Sequence, residues 1–377
     1  MSKAKAKAKK PTAGAQSADK AVKELYEIAS QIYQQLEGGQ VPRMTLPLRT
    51  KANIRLDPRL AVWKYGSLKG VRSAKKLKGA LMLLRTMYLL DFIREMIGEN
   101  KSSTLREMYY ISEGWDLAKF HNQDESDLLA EDLEIITECL REDFRLRPEE
   151  SGASVIGNIT IEEITRNGDR RRINCRDDIG DAGYTIPYNV EREKVKFVDH
   201  DAKLVIAIES GGMFDRLVEN GFDEDGKCIL VHIKGQPSRS TRRLLKRMNE
   251  ELKLQVASFL DCDPWSFRIH ASLAYGAIKT AHISEYLATP TAEWIGITPS
   301  DIVSYELPTD TLTPRDIAAL NAELSDPRFS DEMWKNEIEL MLRLNKKAEQ
   351  QALAKYGLDF VTDRYLPEKL GELGLAG

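Results

Sequence analysis

The chain has 377 residues, of which 42% are hydrophobic and 30% are charged, and its formal net charge is −4. This length accommodates about two or three domains, and the composition is typical of a soluble globular protein. The most apolar stretch, residues 80–98, is interrupted by Arg85, Asp91, Arg94 and Glu95. It therefore predicts a buried helix, and we expect no membrane-spanning segment there.

Cysteine and histidine usage excludes two kinds of stabilising site. The four cysteines are far apart without a CxxC pair, and the five histidines are scattered. Neither a zinc site nor a disulfide framework is predicted, which fits a reducing cytoplasm. The first ten residues alternate Ala and Lys without an apolar core, so we expect no secretory signal.

Positive charge is concentrated between residues 43 and 85, where twelve Lys or Arg residues accompany a single acid, Asp57. Such a one-sided run, with Trp63 and Tyr65 between the cations, indicates a nucleic-acid-binding surface. A solvated basic face is the alternative interpretation. The candidate DNA contacts within this run are Arg49, Lys51, Arg55, Lys75 and Lys76.

The N-terminal segment to residue 74 predicts a basic arm, a helix and an extended segment. Residues 1–20 are basic and low in complexity, so we expect a disordered arm. Apolar side chains recur at helical spacing in residues 21–37, and Gly38-Gly39 ends the predicted helix. The rest of the segment predicts irregular basic chain, punctuated by Pro42, Pro47 and Pro58.

Three helices and a hairpin are predicted next. The first helix covers the apolar stretch, a short second helix follows, and the third spans residues 127–144. After Pro148, two strand-like segments are joined by Asn167-Gly168, which is a typical hairpin turn. This combination resembles a winged helix, which we assign to residues 75–150, with residues 151–200 as hairpin and linker.

The short second helix contains two adjacent tyrosines. Thr104 and Glu107 have the spacing of a capping box, so the helix is expected to begin near Leu105. Neighbouring helical residues point about 100° apart. One of Tyr109 and Tyr110 can therefore pack inward while the other faces a groove, although two ordinary packing residues are the alternative.

A different pattern begins near residue 201 and continues to residue 377. Three buried-strand runs each precede helical sequence, which predicts a parallel, doubly wound sheet with ligands at the carboxyl ends of its strands. Glu209 closes the first run, and Asp261 and Asp263 close the third. Three carboxylates at one edge suit Mg²⁺, which prefers oxygen ligands. Asp as a common turn residue is the alternative explanation of the aspartate pair.

Nucleotide-binding motifs are absent from the sequence. Neither GxxxxGK[ST] nor GxGxxG occurs in the chain. Any ATP-driven step is therefore expected on a partner protein.

Five segments together resemble the A subunits of type IIB DNA topoisomerases, the topoisomerase VI family. The resemblance runs from about residue 25 to the end of the chain, and the family is also similar to the transesterase that makes meiotic double-strand breaks. The segments are STLREMYY, VIAIESGGMFDRL, IKGQPSRSTRRLL, LDCDPWSF and EWIGITPSDI. This resemblance implies a multi-domain α+β and α/β protein, with a CAP-like winged-helix nucleophile domain and a Toprim domain of Rossmann-like parallel sheet.

The resemblance also implies roles for individual residues. Tyr110 occupies the nucleophile position, with Tyr109 as its packing neighbour. It would attack a backbone phosphate, expel a 3′ hydroxyl and leave a 5′ phosphotyrosyl link. A phenol is mostly protonated at neutral pH, so the nucleophile needs assistance. Arg106 would stabilise phosphate charge, or simply anchor a phosphate.

The implied metal site is a Mg²⁺ site in the Toprim domain. Glu209 would be both an acid/base and a metal ligand, and Asp261 and Asp263 would complete the site. One position departs from the family pattern. Relatives usually continue the aspartate motif with Pro, an aromatic residue and Gly, whereas this chain has Ser266 at the third of these positions. The geometry of this loop is therefore less well predicted than the carboxylates.

Partners follow from the same resemblance. We expect a homodimer that shares its active sites, binds double-stranded DNA in the cytoplasm near the nucleoid, and avoids membranes. A GHKL-type ATPase B subunit would complete an A2B2 heterotetramer, an ATP-dependent isomerase that relaxes or decatenates DNA through a transient double-strand break. A break-forming transesterase without strand passage and a catalytically silent DNA-binding scaffold are the alternatives.

Overall fold

Two compact units make up the chain. The computed structural model describes residues 13–147, 152–165 and 167–375. Unit 1 contains residues 13–53 and 65–147, and unit 2 contains residues 54–64 and the described residues from 152 onwards. Within the described ranges, no helix has both the length and the apolar character needed to cross a membrane.

Helices build most of unit 1. Its α-helices in the described chain are α1 (Ala13–Glu37), α2 (Leu77–Gly98), α3 (Leu105–Ile111) and α4 (Gln123–Thr137). Leu25, Ile28 and Ile32 recur at helical spacing on α1 and pack in one core with Leu89 and Ile93 of α2. This core accounts for the helical periodicity of the sequence.

Two helix boundaries differ from the predicted ones. The first helix begins at Ala13, so the prediction of a disordered arm is wrong for residues 13–20, while residues 1–12 lie outside the described residues. The third predicted helix ends at Thr137 and not at residue 144, because Glu138 adopts a left-handed conformation with φ of 52°. A left-handed residue ends a helix since it turns the chain away from the helical path.

Short strands replace the irregular basic segment that the sequence predicted. They are β1 (Arg43–Pro47), β2 (Ile54–Asp57), β3 (Val62–Tyr65) and β4 (Lys69–Ser73). β1 pairs with β4 in antiparallel register, and β2 pairs with β3. The side-chain amide of the buried Asn53 donates to the Leu48 and Leu68 carbonyls and accepts from the Leu68 amide. These hydrogen bonds hold the residue that follows β1 close to the residue that precedes β4.

The predicted hairpin forms, but it belongs to unit 2. β5 (Ser103–Thr104) and β6 (Leu146–Arg147) pair in unit 1, and the next strands are β7 (Ser154–Ile156), β8 (Ile159–Ile164), β9 (Arg170–Asn174), β10 (Tyr184–Thr185) and β11 (Val195–His200). β8 pairs antiparallel with both β9 and β11. The hairpin strands and β11 therefore form a three-stranded sheet of unit 2, whereas α2, α3 and α4 belong to unit 1.

A six-stranded sheet forms the centre of unit 2. Besides β7 and β10, it contains β12 (Leu204–Ile208), β13 (Cys228–His232), β14 (Gln255–Phe259) and β15 (Glu293–Trp294). The strand order is β10-β7-β13-β12-β14-β15. β12 runs parallel to β13 and β14, which confirms the predicted parallel sheet. β7 pairs antiparallel with β13, so one side of the sheet is mixed. All five residues of β12 are buried, as expected for a central strand covered on both faces.

Helices cover this sheet and extend it towards the C-terminus. They are α5 (Gly211–Glu219), α6 (Phe222–Asp225), α7 (Arg239–Leu252), α8 (Pro264–Tyr275), α9 (Ala281–Leu287), α10 (Pro299–Ser304), α11 (Pro314–Glu323), α12 (Glu332–Leu344) and α13 (Leu366–Glu372). A two-stranded pair, β16 (Asp310–Thr311) and β17 (Lys346–Lys347), lies among them. α5, α7 and α8 follow β12, β13 and β14 in turn, as the sequence predicted.

Asp316 at the start of α11 ties together three segments of unit 2. Its carboxylate accepts hydrogen bonds from the Trp265 indole at 3.0 Å, the Lys347 ammonium at 3.0 Å and the Thr313 amide at 2.9 Å. Although burial opposes ionisation, these hydrogen bonds lower the pKa of Asp316 to about 2. The ionised carboxylate therefore stabilises the folded unit at neutral pH.

We expect Asp316→Ala to lower the free energy of unfolding by about 2 to 4 kcal/mol at pH 7, because three donors lose their acceptor. The exposed Asp310→Ala should change it by less than about 0.5 kcal/mol. Chemical denaturation measures both. Since the folded-state pKa lies below the unfolded value, the difference should shrink as the pH falls from about 4 towards 2. An Asp316→Ala variant as stable as Asp310→Ala would contradict this role.

Candidate active site

The two tyrosines of α3 occupy different environments. The helix begins at Leu105 with the predicted capping box: Thr104 Oγ1 accepts from the Glu107 amide at 3.0 Å, and Glu107 Oε2 accepts from the Thr104 amide at 2.6 Å. Tyr109 packs against the core of unit 1, whereas Tyr110 is 59% exposed. The cap thus sets a helical register in which one phenol is structural and the other is available to a ligand.

A cation accompanies the exposed phenol. The guanidinium carbon of Arg106 lies 5.9 Å from the centre of the Tyr110 ring, one helical turn earlier on α3. Arg106 is exposed, and a guanidinium binds phosphate oxygens through its planar fork of donors. The surface of α3 can therefore present a hydroxyl nucleophile and a phosphate-binding cation together.

The three predicted carboxylates lie at one edge of the sheet in unit 2. Glu209 follows β12, Asp261 follows the neighbouring parallel strand β14, and the Asp261 amide donates to Glu209 Oε2 at 3.3 Å. Asp263 caps α8, where its Oδ1 accepts from the Ser266 amide at 2.7 Å. The Ser266 hydroxyl in turn donates to Glu209 Oε2 at 2.7 Å. Ser266 therefore links the carboxylates of Asp263 and Glu209, and Asp261 joins them through its backbone amide.

Burial and mutual repulsion destabilise the charged forms of these acids. Burial raises the pKa of Glu209, while hydrogen bonds from Ser266 and the Asp261 amide oppose this rise. Burial and the negative charges of Glu209 and Asp263 raise the pKa of Asp261 to about 7, although a hydrogen bond from the Gln350 amide opposes this rise. A bound cation would relieve this repulsion, because an opposite charge favours the ionised form.

The donor set fits Mg²⁺, although the side chains do not yet converge. In the described ranges, no group of three or more His, Cys, Asp or Glu side chains is arranged to hold a metal ion. Each of the three carboxylates has one oxygen engaged, while the other accepts no hydrogen bond from any described residue. Three such oxygens on neighbouring loops suit a cation that prefers oxygen ligands and keeps several waters. To bind a cation, the three carboxylate side chains would have to rotate until these oxygens converge.

Gln350 is a site residue that sequence reasoning missed. Its amide donates to Asp261 Oδ1 at 2.8 Å, and its fully buried side chain donates to the Phe259 carbonyl at 2.6 Å and accepts from the Ser210 amide at 3.4 Å. It therefore joins the ends of β12 and β14 beneath the carboxylates. Its distance along the chain from either strand leaves no local pattern that could have revealed it.

The segment EWIGITPSDI, residues 293–302, approaches the backbone just before Asp261 closely and supports it. The Ile295 amide donates to the Ser258 carbonyl at 3.0 Å, and the Ile297 amide donates to the Leu260 carbonyl at 3.2 Å. Between them, a Cβ at Gly296 would lie 2.5 Å from the Leu260 carbonyl oxygen. Only glycine therefore permits this contact immediately before Asp261.

The basic run is divided between internal ion pairs and exposed cations. Arg49 lies 2.7 Å from Glu131 and 2.9 Å from Asp132 of α4, and Arg72 lies 2.6 Å from Asp132. These acids are buried, so the arginines neutralise them within unit 1. The remaining candidate DNA contacts are exposed, and they are Lys51, Arg55, Lys75 and Lys76. Arg49 therefore has a structural partner that the charge count did not reveal.

Comparison with protein families places this architecture in one class. Residues 82–146 match the family model described as type IIB DNA topoisomerase, and residues 149–201 match the all-beta domain in DNA topoisomerase VI alpha subunit. Residues 204–370 match the model that describes the Toprim domain of the topoisomerase 6 A subunit and Spo11. The second match coincides with the three-stranded sheet β11-β8-β9, and the third begins at β12.

Individual relatives extend the similarity over almost the whole chain. The A subunit of the type 2 DNA topoisomerase 6 of Archaeoglobus fulgidus is 61% identical over 351 residues, covering 93% of this chain and 97% of the relative. Relatives with the same description are 58% identical in Methanosarcina acetivorans, covering 93% and 94%, and 54% identical in Haloarcula marismortui, covering 95% and 97%. The chain belongs to the family of topoisomerase 6 A subunits.

The division of the basic run generates a prediction about DNA binding. Charge reversal at Lys51 and Arg55 together should reduce the slope of log affinity against log salt by about 2, because each lost phosphate contact removes about one unit. Fluorescence anisotropy with duplex DNA measures this slope.

Two variants separate DNA contact from general charge and from stability. Lys335→Glu reverses an exposed cation on α12 and should leave the slope unchanged. Arg49→Gln should lower the stability of unit 1, since it leaves buried acids without their cation. An unaltered slope in the double variant would show that Lys51 and Arg55 face away from DNA.

Proposed function

We propose that the chain is the DNA-cleaving and rejoining component of a type IIB topoisomerase, with Tyr110 as the nucleophile. The observation that carries this assignment is the exposed phenol of Tyr110 beside Arg106 on a capped helix. The family described as type IIB DNA topoisomerase covers this helix. An accessible phenol with an adjacent cation is suited to attack on a phosphodiester.

The proposed reaction exchanges one phosphoester for another. The Tyr110 hydroxyl loses its proton as its oxygen bonds to phosphorus, the bond from phosphorus to the 3′ oxygen breaks, and that oxygen takes up one proton and leaves as a 3′ hydroxyl. A 5′ phosphotyrosyl link remains, and the reverse attack by the 3′ hydroxyl reseals the strand. Because one ester replaces another, resealing requires no external energy source. Cutting and resealing both strands would permit relaxation or decatenation.

The carboxylates of unit 2 have two proposed tasks. Burial raises the pKa of Glu209, which suits a carboxylate that accepts and returns a proton during the reaction. Glu209, Asp261 and Asp263 would also hold Mg²⁺, which supplies positive charge for a phosphate when bound. Arg106 would stabilise charge on the reacting phosphate.

We assign the domains from the order of these parts. Residues 21–74 hold most of α1 and the basic segment with β1 to β4, and residues 75–150 form the winged-helix nucleophile domain around α2, α3 and α4. Residues 151–200 form the hairpin and linker, and residues 201–377 form the Toprim domain with the C-terminal helices. The boundaries of the three matched family models support this division.

The assembly that we propose is an A2B2 heterotetramer on double-stranded DNA. Two copies of this chain would pair and share their active sites, and a GHKL-type ATPase would be the B subunit. The relatives are themselves described as A subunits, and the sequence contains no phosphate-binding loop motif. ATP turnover by the purified chain, free of contaminants, would contradict this division of labour.

The nucleophile assignment predicts that Tyr110→Phe abolishes covalent attachment to DNA while Tyr109→Phe retains it. The Tyr110 phenol is exposed, whereas Tyr109 is partly buried and packs against the core. The measurement traps protein–DNA adducts in the presence of the partner ATPase and maps them to 5′ ends. Residual 5′ adduct in Tyr110→Phe would exclude this residue as the nucleophile. Equal loss in both variants would point to damage of α3.

The metal assignment predicts that Glu209→Ala and Asp261→Ala each reduce DNA cleavage by at least about 100-fold, because phosphate charge loses its stabilisation. Duplex binding should change by less than about threefold, since affinity depends mainly on phosphate contacts by cations. Asp310→Ala, an exposed acid of the same unit, is the matched control. If duplex affinity fell as steeply as cleavage, these acids would be structural and not metal ligands.

A further inference from the structure

Ser266 makes an unusual pair of contacts for a helical serine. It lies in the first turn of α8 and is only 1% exposed. Its amide donates to Asp263 Oδ1 at 2.7 Å, and its hydroxyl donates to Glu209 Oε2 at 2.7 Å. One residue therefore links carboxylates that follow two different strands, β12 and β14.

The hydroxyl contact determines which oxygen of Glu209 is available. Oε2 receives two donors, the Ser266 hydroxyl and the Asp261 amide at 3.3 Å, whereas Oε1 accepts no hydrogen bond from a described residue. Without the hydroxyl, only the longer amide contact would hold the carboxylate. A glutamate side chain has three rotatable torsions, so this loss would release several alternative orientations.

We infer that Ser266 is a positioning residue of the cation site: it holds Glu209 so that Oε1 remains free to bind a divalent cation beside Asp261 and Asp263. This inference rests on the proposed function. Ser266 itself touches neither the cation nor DNA in this scheme. It acts in the way that outer hydrogen-bond partners orient metal-binding carboxylates in other proteins.

A neighbouring serine provides a matched comparison on the same edge. Ser210 follows Glu209 directly, but its hydroxyl accepts from the Gln351 side chain at 2.6 Å and contacts none of the three carboxylates. Ser210→Ala therefore removes a hydroxyl at the same edge without releasing a proposed ligand. Ser266→Ala removes a hydroxyl that is bonded to one.

The experiment measures Mn²⁺ binding to the full chain without DNA, by electron paramagnetic resonance of the free ion. We expect Ser266→Ala to raise the Mn²⁺ dissociation constant by about tenfold. Ser210→Ala should change it by less than about twofold. The melting temperature in EDTA confirms that each variant is folded. If Ser266→Ala folds poorly, Ser266→Gly takes its place. It also lacks the hydroxyl and should raise the Mn²⁺ dissociation constant by at least the same factor.

A double-mutant cycle tests whether Ser266 acts through Glu209. In a Glu209→Ala background, Ser266→Ala should produce no further loss of Mn²⁺ affinity, since the carboxylate that it orients is gone. An equal loss in both backgrounds would overturn the positioning role and indicate a general effect on the loop. An unchanged dissociation constant in Ser266→Ala would also overturn it.

Failure of the metal site itself gives a different result. If Asp261→Ala bound Mn²⁺ as tightly as the unmodified chain, or if the unmodified chain bound none, the proposed cation site would be wrong. If the unmodified chain bound Mn²⁺, Asp261→Ala did not, and Ser266→Ala matched the unmodified chain, only the inference about Ser266 would fail.

Discussion

The parallel pairing of β12 with β14 is the constraint on which the acidic site depends. Residue-by-residue register between the two strands brings their carboxyl ends to one edge, so Glu209 and Asp261 have to lie close together. Both strands are deeply buried, and the acids at their ends are half-buried. Two carboxylates held together at such a place repel each other, which the fold tolerates only because donors from α8 and from Gln350 hold them.

A second constraint acts on α3, where a short helix has to present a particular face. Seven residues form this helix, too few for intrinsic propensity to stabilise it alone. The capping box at Thr104 and the buried Met108 fix where the helix starts and which side faces the core. A shift of one residue would turn the helix by about 100° and place a different residue in the exposed position that Tyr110 occupies. The choice of exposed tyrosine is thus determined by the cap as much as by the tyrosines.

Local patterns of the sequence were sufficient where a feature depends on neighbours along the chain. The buried runs that became β12, β13 and β14, and the capping box of α3, required only periodicity and spacing. Features that depend on distant residues escaped prediction. The partnership of Arg49 with Glu131 and Asp132, the pairing of β8 with β11, and the placement of Gln350 beneath Asp261 all join segments with no shared local pattern. The roles of Tyr110 and Arg106 came from the family resemblance, because periodicity shows which face a tyrosine occupies but not what it attacks.

The distribution of chemical groups between the two units has a consequence for the control of DNA breakage. Unit 1 carries the exposed phenol and its guanidinium, and unit 2 carries the carboxylates. A phenol beside an arginine alone has no strong base to take its proton, and acids alone have no nucleophile. In the proposed mechanism, cleavage therefore requires that both sets of groups reach the same phosphate. In that proposed mechanism, the requirement would tie breakage to a DNA-bound state in which both sets of groups meet, and the phosphotyrosyl link would keep each broken end attached to the protein until the strand is resealed.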